Sequence, residues 1–364
     1  MGNKGRRRIN LALQGGGAHG AFTWGVLDRL LQDDQISFAW ISATSAGAVN
    51  AAALASGLAE EGAAGARETL RRVWQAVEAA GAPDLLRYNP LLSGLARVAP
   101  MPGVHNMLSP YQFNPLGFDP LRRLLTEHID FDRIRASSDL ELLIAATDVA
   151  TGRARLFRRA EISVEVILAS ACLPTLHHAV TIDGRAYWDG GFSANPDLKT
   201  LATESPVEDT LIVLLNPLEH GDVPRSAMEI ASRVSAITFN QPFVSDVEAI
   251  VAAQESEIGW FANRHSRLAR LKRHRFHVIE ASSYTAELGV DSKLMPNGEL
   301  LRYLFNAGRE EAQSWLAQHR DDIGRRSTVD LRARYLKPVA TGPGDREIPP
   351  GKVPEHPDRR AAGQ

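Results

Sequence analysis

Three short stretches of this 364-residue chain carry side chains at spacings that could do chemistry. The first is LALQGGGAHGAF, in which Gly15, Gly17 and Gly20 spell G-x-G-x-x-G, a turn leading from a strand into a helix. Such a turn presents backbone N–H groups, either to a pyrophosphate or to another negative charge. The second is ATSAG, with Ser45 between Ala43 and Gly47. The third is AYWDGGFSANP, which sets Asp189 ahead of Gly190 and Gly191.

A dinucleotide-dependent oxidoreductase would need a carboxylate at the end of the second strand, about 20 residues past the glycines. That strand ends Trp40-Ile41-Ser42-Ala43, with no carboxylate. It runs instead into a stretch resembling the nucleophile elbow G-x-S-x-G, with Ala43 in place of the first glycine. The elbow holds a serine Oγ above the sheet, and its small neighbours are needed because strand and helix backbones nearly touch. The methyl of Ala43 is an addition where space is short. If the two turns are neighbours, Gly15, Gly16 and Gly17 aim N–H groups at the carbonyl oxygen attacked by Ser45. The glycines then face an oxyanion rather than a pyrophosphate.

A serine nucleophile needs a base. His220, His265, His274, His277, His319 and His356 follow Asp189, none in a recognisable context. An ordinary α/β-hydrolase also places its nucleophile after several strands, whereas Ser45 follows the second. Asp189 is the better candidate. It ends a short apolar strand, and a desolvated carboxyl of raised pKa takes a serine proton directly. His19 reads as a partly solvated residue at a helix start, Asp148 as a strand-end turn residue, and Cys172 as a core residue beside the site. His177 and His178 have no metal-ligand partners at convincing spacing, and neither metal nor cofactor is expected.

These residues require a sheet to position them. Strands are expected at 8–13, 36–43, 141–147, 154–157, 180–182, 186–188, 211–215 and 276–280, from apolar runs bounded by turns. Helices are expected at 18–31, after the ATSAG turn, at 68–80, from Pro120 with Asp119 as N-cap, at 163–171, through most of 226–271, and at 300–319. The opening β-turn-α-β-turn-α order is that of a parallel α/β sheet. Residues 84–116 look like an inserted cap or lid. With 44% hydrophobic and 23% charged residues, the composition is that of a soluble globular protein. A net charge of −2 argues against nucleic acid as a main partner. The single cysteine excludes an internal disulfide, and neither a secretory signal nor a membrane-spanning run is evident, so a cytoplasmic protein is expected. The basic run NRHSRLARLKRHRFH is either a solvated helix face or, with Lys4 and Arg6 to Arg8, a surface for anionic headgroups.

With these motifs in this order, the sequence resembles the bacterial patatin-like phospholipases. The resemblance rests on GGGAHG, ATSAG and DGG, and on ASACLP ahead of the last, and runs from about residue 9 to 218. The segment SKLMPNGELLRYLFNAGREEAQSWL is similar to the C-terminal part of one bacterial branch. The resemblance implies a modified α/β-hydrolase fold, a three-layer α/β/α sandwich around a mainly parallel sheet. It implies a lipid acyl hydrolase of phospholipase A or lysophospholipase type. Ser45 would be nucleophile and Asp189 base. Gly15, Gly16 and Gly17 would form the oxyanion loop, with Gly20, Ala43, Gly47, Gly190 and Gly191 supporting the motifs. An acyl-enzyme on Ser45 would be hydrolysed to a fatty acid without a metal. The expected organisation is a basic segment 1–8, a catalytic domain 9–218, a mainly helical extension 219–336 packed on it, and a disordered Pro/Gly-rich tail 337–364. At His177 and His178 relatives usually carry an aromatic, so the acyl pocket is reshaped there. The alternative is a catalytically silent lipid-binding or membrane-associated module on the same fold. Intact Ser45 and Asp189 favour the enzyme.

Overall fold

The computed structural model describes residues 6–87, 109–137, 139–219, 221–256, 266–285, 288, 290–293 and 296–336. The expected lid falls largely outside these residues, as do the tail and the first five residues.

RRINLAL forms β1 (Arg7–Leu13), whose last five residues are all buried. That uninterrupted burial is the mark of a strand covered on both faces. It pairs in parallel with β2 (Ile36–Ala43) on one edge and β7 (Asp209–Leu214) on the other. β3 (Glu141–Asp148) lies parallel to β2, and β8 (Arg275–Glu280) parallel to β7. Of the remaining strands, β4 (Ala154–Arg158) and β6 (Arg185–Asp189) run antiparallel to β3 and β5 (Val180–Ile182) antiparallel to β6, completing a mainly parallel eight-stranded sheet.

Alternate side chains of each strand serve opposite faces. Ile9, Leu11, Leu13, Leu211 and Val213 enter one core with Phe22 and Leu27 of α1 (Gly20–Leu30), Leu54 and Leu70 of α2 (Ala46–Arg87), and Leu304 of α9 (Gly298–His319). Ala12, Ile212 and Leu214 enter the other, with Leu198 of α6 (Leu198–Glu204) and Phe243 and Val247 of α7 (Ala227–Glu255). The result is an α/β/α three-layer sandwich. Within α2 the helix breaks at Glu61 and Gly62, and again at Gly81, which separates its small-residue first part from the later helix. α3 (Pro120–His128) starts as its sequence requires: the Asp119 carboxylate accepts from the N–H groups of Leu121 and Arg122. α4 (Phe131–Ala136) and α5 (Val164–Ser170) complete the layer near β3.

In the C-terminal part, the strand expected at 276–280 forms β8 and continues the sheet beyond β7. The basic run keeps exposed positions, and several of its arginines have partners. In and after α8 (Arg267–Arg273), Arg267 pairs with Glu204, Arg273 with Glu208, and Arg275 with Asp209, while Arg270 donates to the Ser205 carbonyl. Carboxylates of the neighbouring β7 and α6 region thus neutralise part of this run, although Arg267 and Arg273 stay exposed to solvent.

Candidate active site

β2 stops at Ala43, and the chain reverses into α2 through Thr44 and Ser45. Ser45 has φ 54, a left-handed conformation that an L residue adopts only when its surroundings hold it there. Three contacts do so. Thr44 Oγ1 donates to the Ala194 carbonyl at 2.7 Å, the Ser45 N–H donates to Ser170 Oγ at 2.9 Å, and Gly47 N–H closes the turn on the Thr44 carbonyl at 2.8 Å. Ser45 is left half-buried at the carboxyl end of the sheet. Gly47 is pressed against the carbonyls of Leu13 and Gln14, where a Cβ would collide with the Leu13 oxygen. Gly47→Ala is therefore expected to displace the elbow. A shift of about 1 Å costs on the order of 10²-fold in rate, so ester hydrolysis by Gly47→Ala should fall by about that factor, together with a lower melting temperature. Ala43, the departure from the elbow consensus, is fully buried at the end of β2, opposite Ile144.

The glycine turn after β1 stands beside the elbow: a Cβ on Gly15 would lie 2.8 Å from Ser45 Cβ. Its three glycines are not equivalent. The Gly15 N–H donates to Asn195 Oδ1 at 2.8 Å, so it is engaged, and Asn195 Nδ2 donates in turn to the Phe239 carbonyl at 3.0 Å. The N–H groups of Gly16 and Gly17 have no partner among the described residues. Both lie at the start of a single helical turn, Gly17–His19, that leads into α1. Gly17 has φ 58 and abuts the Lys293 carbonyl. Gly20 lets α1 approach α2 at Ala46. His19, expected to be partly solvated, is instead 2% exposed, with Nε2 2.7 Å from Ser292 Oγ. Burial, helped by the charge of Lys293, pushes its pKa down to about 4, so the ring is neutral at pH 7.

β6 delivers the carboxyl. β4 occupies one edge of β3 across Leu143 to Thr147, so β2 and β6 share the other edge in succession. Ala43 pairs with Ile144, and Asp189 pairs with Ala146, two residues further on. Asp189 is thereby set just past the elbow. Its N–H donates to the Cys172 carbonyl at 2.8 Å, and its carbonyl accepts from Thr147 Oγ1 at 2.8 Å. Gly190 packs on the Ala145 carbonyl, and Gly191 lies under the Phe239 ring. The Asp189 side chain is fully buried. Oδ1 accepts from the Gly191 N–H at 2.7 Å, and Oδ2 makes no full hydrogen bond. Burial pushes the pKa up to about 7, against the opposing pull of the Gly191 N–H and of the nearby Ser45 hydroxyl. A carboxyl so held is poised to exchange a proton near neutrality.

The other singled-out residues support this frame. Asp148 ends β3 in a turn, accepting from Thr151 and pairing with Arg185. Cys172 is buried, and burial and then the nearby Asp189 push its thiol up to about 12, which leaves it unreactive. His178 stacks on Tyr111 with ring centroids 4.1 Å apart. Sequence reasoning gave no role to Ser170, Asn195, Asn216 or Lys293. Asn195 was in view in AYWDGGFSANP and Lys293 in SKLMPNG, but their partners are distant in the chain. A cavity of about 740 Å³ lies at the opposite, amino-terminal end of the strands, among Arg8, Phe38, Leu58 and Leu140. It touches neither Ser45 nor Asp189.

Residues 11–202, just over half of the chain, match the family model described as Patatin-like phospholipase. Among solved structures, VipD from Legionella pneumophila is 15% identical, with 90% of this chain and 72% of that chain covered and a TM-score of 0.43. ExoU, in its heterodimeric complex with SpcU from the type III secretion system of Pseudomonas aeruginosa, is 15% identical, with 86% of this chain and 52% of that chain covered and a TM-score of 0.31. This chain thus spans about half the length of ExoU. No curated protein matches it significantly.

Proposed function

The chain belongs to the patatin-like phospholipase family, and from that premise we propose that it hydrolyses acyl esters of phospholipids or lysophospholipids with Ser45 as nucleophile and Asp189 as base. The observation that carries this reading is the fully buried Asp189 carboxyl, set by the register of β6 on β3 just past the Ser45 elbow, with Oδ2 left without a hydrogen-bond partner and its pKa raised by burial. Ser45 Oγ attacks the ester carbonyl while its proton passes to Asp189. The negative oxygen of the tetrahedral intermediate is met by the N–H groups of Gly16 and Gly17, with Gly15 shaping the loop around Asn195. Collapse breaks the ester C–O bond, and the departing alkoxide takes the proton from Asp189. Water then attacks the acyl-enzyme, giving its proton to Asp189, and the second collapse returns it to Ser45 Oγ with release of the fatty acid. A single carboxyl serves both half-reactions because it is the only proton carrier required. The catalytic part is residues 9–218, with the later chain packed on it. Among the described residues no helix is long and apolar enough to cross a membrane.

Labelling by a fluorophosphonate across pH 5–9 tests this reading. One adduct is expected, on the peptide containing Ser45. Only the ionised form of Asp189 can accept the proton. The labelling rate should therefore rise about tenfold per pH unit below pH 7 and level off above it. No adduct, an adduct elsewhere, or a rate flat with pH would sink the assignment. The first of these would favour the silent lipid-binding module.

A further inference from the structure

Resting on that reading of Ser45 and the glycine loop, we infer that Lys293, acting through Asn216, is a positioning residue of the oxyanion hole. It holds the peptide between Gly15 and Gly16 with its N–H turned toward Ser45. Three hydrogen-bonded groups form a line. Lys293 Nζ donates to Asn216 Oδ1 at 2.6 Å, and Asn216 Nδ2 donates to the Gly15 carbonyl at 3.1 Å. That carbonyl belongs to the same peptide as the Gly16 N–H. In a planar trans peptide the two point in opposite directions. β1 lies between β7, which leads to Asn216, and β2, which leads to Ser45. A carbonyl fixed on the β7 side therefore sends the Gly16 N–H to the side of Ser45.

The anchor itself is rigid. Asn216 is 5% exposed, and Gln14 Oε1 accepts from the N–H groups of both Leu215 and Asn216, at 2.7 and 2.9 Å. A peptide between two glycines meets little steric resistance to rotation of its plane. Turned over, it would present a carbonyl to the developing oxyanion in place of a donor. The bond from Asn216 opposes that rotation. The ammonium behind it polarises the line in the direction that makes the Gly16 N–H a stronger donor.

Stability gives no reason for a lysine here. Its ammonium is largely withdrawn from water, which lowers its pKa, and no carboxylate pairs with it among the described residues. A desolvated cation without a counter-charge is costly to keep. It becomes favourable where negative charge builds during the reaction. The same short turn grips the loop at two further points: the Lys293 carbonyl covers Gly17, and Ser292 Oγ meets His19.

The test is steady-state hydrolysis of a short-chain p-nitrophenyl ester by the full chain carrying Lys293→Met or Asn216→Asp. The second variant keeps an oxygen for Lys293 but has no N–H for the Gly15 carbonyl. Each is expected to lower kcat by about 10–100-fold, a fraction of the effect of losing one donor outright. KM should stay within twofold. Fluorophosphonate labelling should slow by the same factor, because the phosphonyl oxygen enters the same hole. The double variant should fall no further than either single one. Lys293→Met should melt no lower than wild type. Wild-type kcat in Asn216→Asp, or losses that appear in KM and melting temperature instead of kcat, would overturn the inference alone. A wild-type chain inert toward both ester and fluorophosphonate would overturn the reading of Ser45 and this inference with it.

Discussion

Asp189→Asn is expected to lower ester hydrolysis by at least about 10³-fold and, at pH 8, to stabilise the fold. The two effects have one cause. The asparagine keeps an oxygen for the Gly191 N–H but cannot take a proton from Ser45. In the wild type the buried carboxyl has a pKa of about 7, against an unfolded value near 3.8. Between those values the folded chain holds a proton that the unfolded chain has released. Wild-type stability therefore declines as pH rises from about 4 to 7, and the cost is complete above 7. About three pKa units correspond to roughly 4 kcal/mol. The advantage of Asp189→Asn should be small at pH 4 and reach its maximum above pH 7. Thermal melts of both proteins at pH 4.5 and pH 8 read this directly. An advantage that is equal at both pH values, or reversed, would rule out a desolvated carboxyl at this position, as would an active Asp189→Asn enzyme.

Ser45→Gly is expected to abolish fluorophosphonate labelling and lower hydrolysis by about 10⁴-fold or more, while leaving the melting temperature within about 2 °C of wild type. At an ordinary backbone position a glycine costs about 0.5–1 kcal/mol through the freedom it adds to the unfolded chain. Here φ is 54, and releasing a left-handed L residue returns about 1 kcal/mol. The two nearly cancel. Ser45→Ala, which retains a Cβ at the same φ, separates loss of the hydroxyl from relief of strain. It should be equally inactive and no more stable than Ser45→Gly. A melting temperature several degrees lower for Ser45→Gly would mean that the elbow is not strained. Residual hydrolysis would mean that another group attacks the ester.

The parts of the site that depend on adjacent residues were legible in the sequence. A serine between a strand and a small-residue helix, and an aspartate between a short strand and two glycines, each carry their geometry locally. The parallel core was legible too, because β1 and β7 are apolar throughout. What escaped depends on contacts between distant residues. Gly15 gives its N–H to a side chain 180 residues away, so a motif that names three glycines does not tell which N–H groups stay open. Lys293 meets Asn216 across 77 residues, through a bond that no spacing rule reveals. His19 looked solvated because it opens a helix after a glycine turn, whereas the distant turn at Ser292 meets it. Arg267 and Arg273 of α8 are exposed, but their carboxylate partners could not be read from the run because they come from other elements.

The crossing of α1 and α9 bears on which stretch of the chain is inherited or excised as a unit. Gly25 of α1 lies against the Phe305 carbonyl, and Gly308 of α9 against the Phe22 carbonyl, so the two helices touch backbone to backbone. α1 is the helix that the glycine loop feeds. A bulkier residue at either glycine would part the pair, and the displacement would reach that loop through one helix. The stretch matching the family, residues 11–202, holds neither β7 nor α9. Cut out alone, it would bare one edge of β1 and leave α1 without the surface it rests on. A piece that keeps both contacts reaches at least from β1 to the end of α9, so the chemistry at its front travels with the helix at its back.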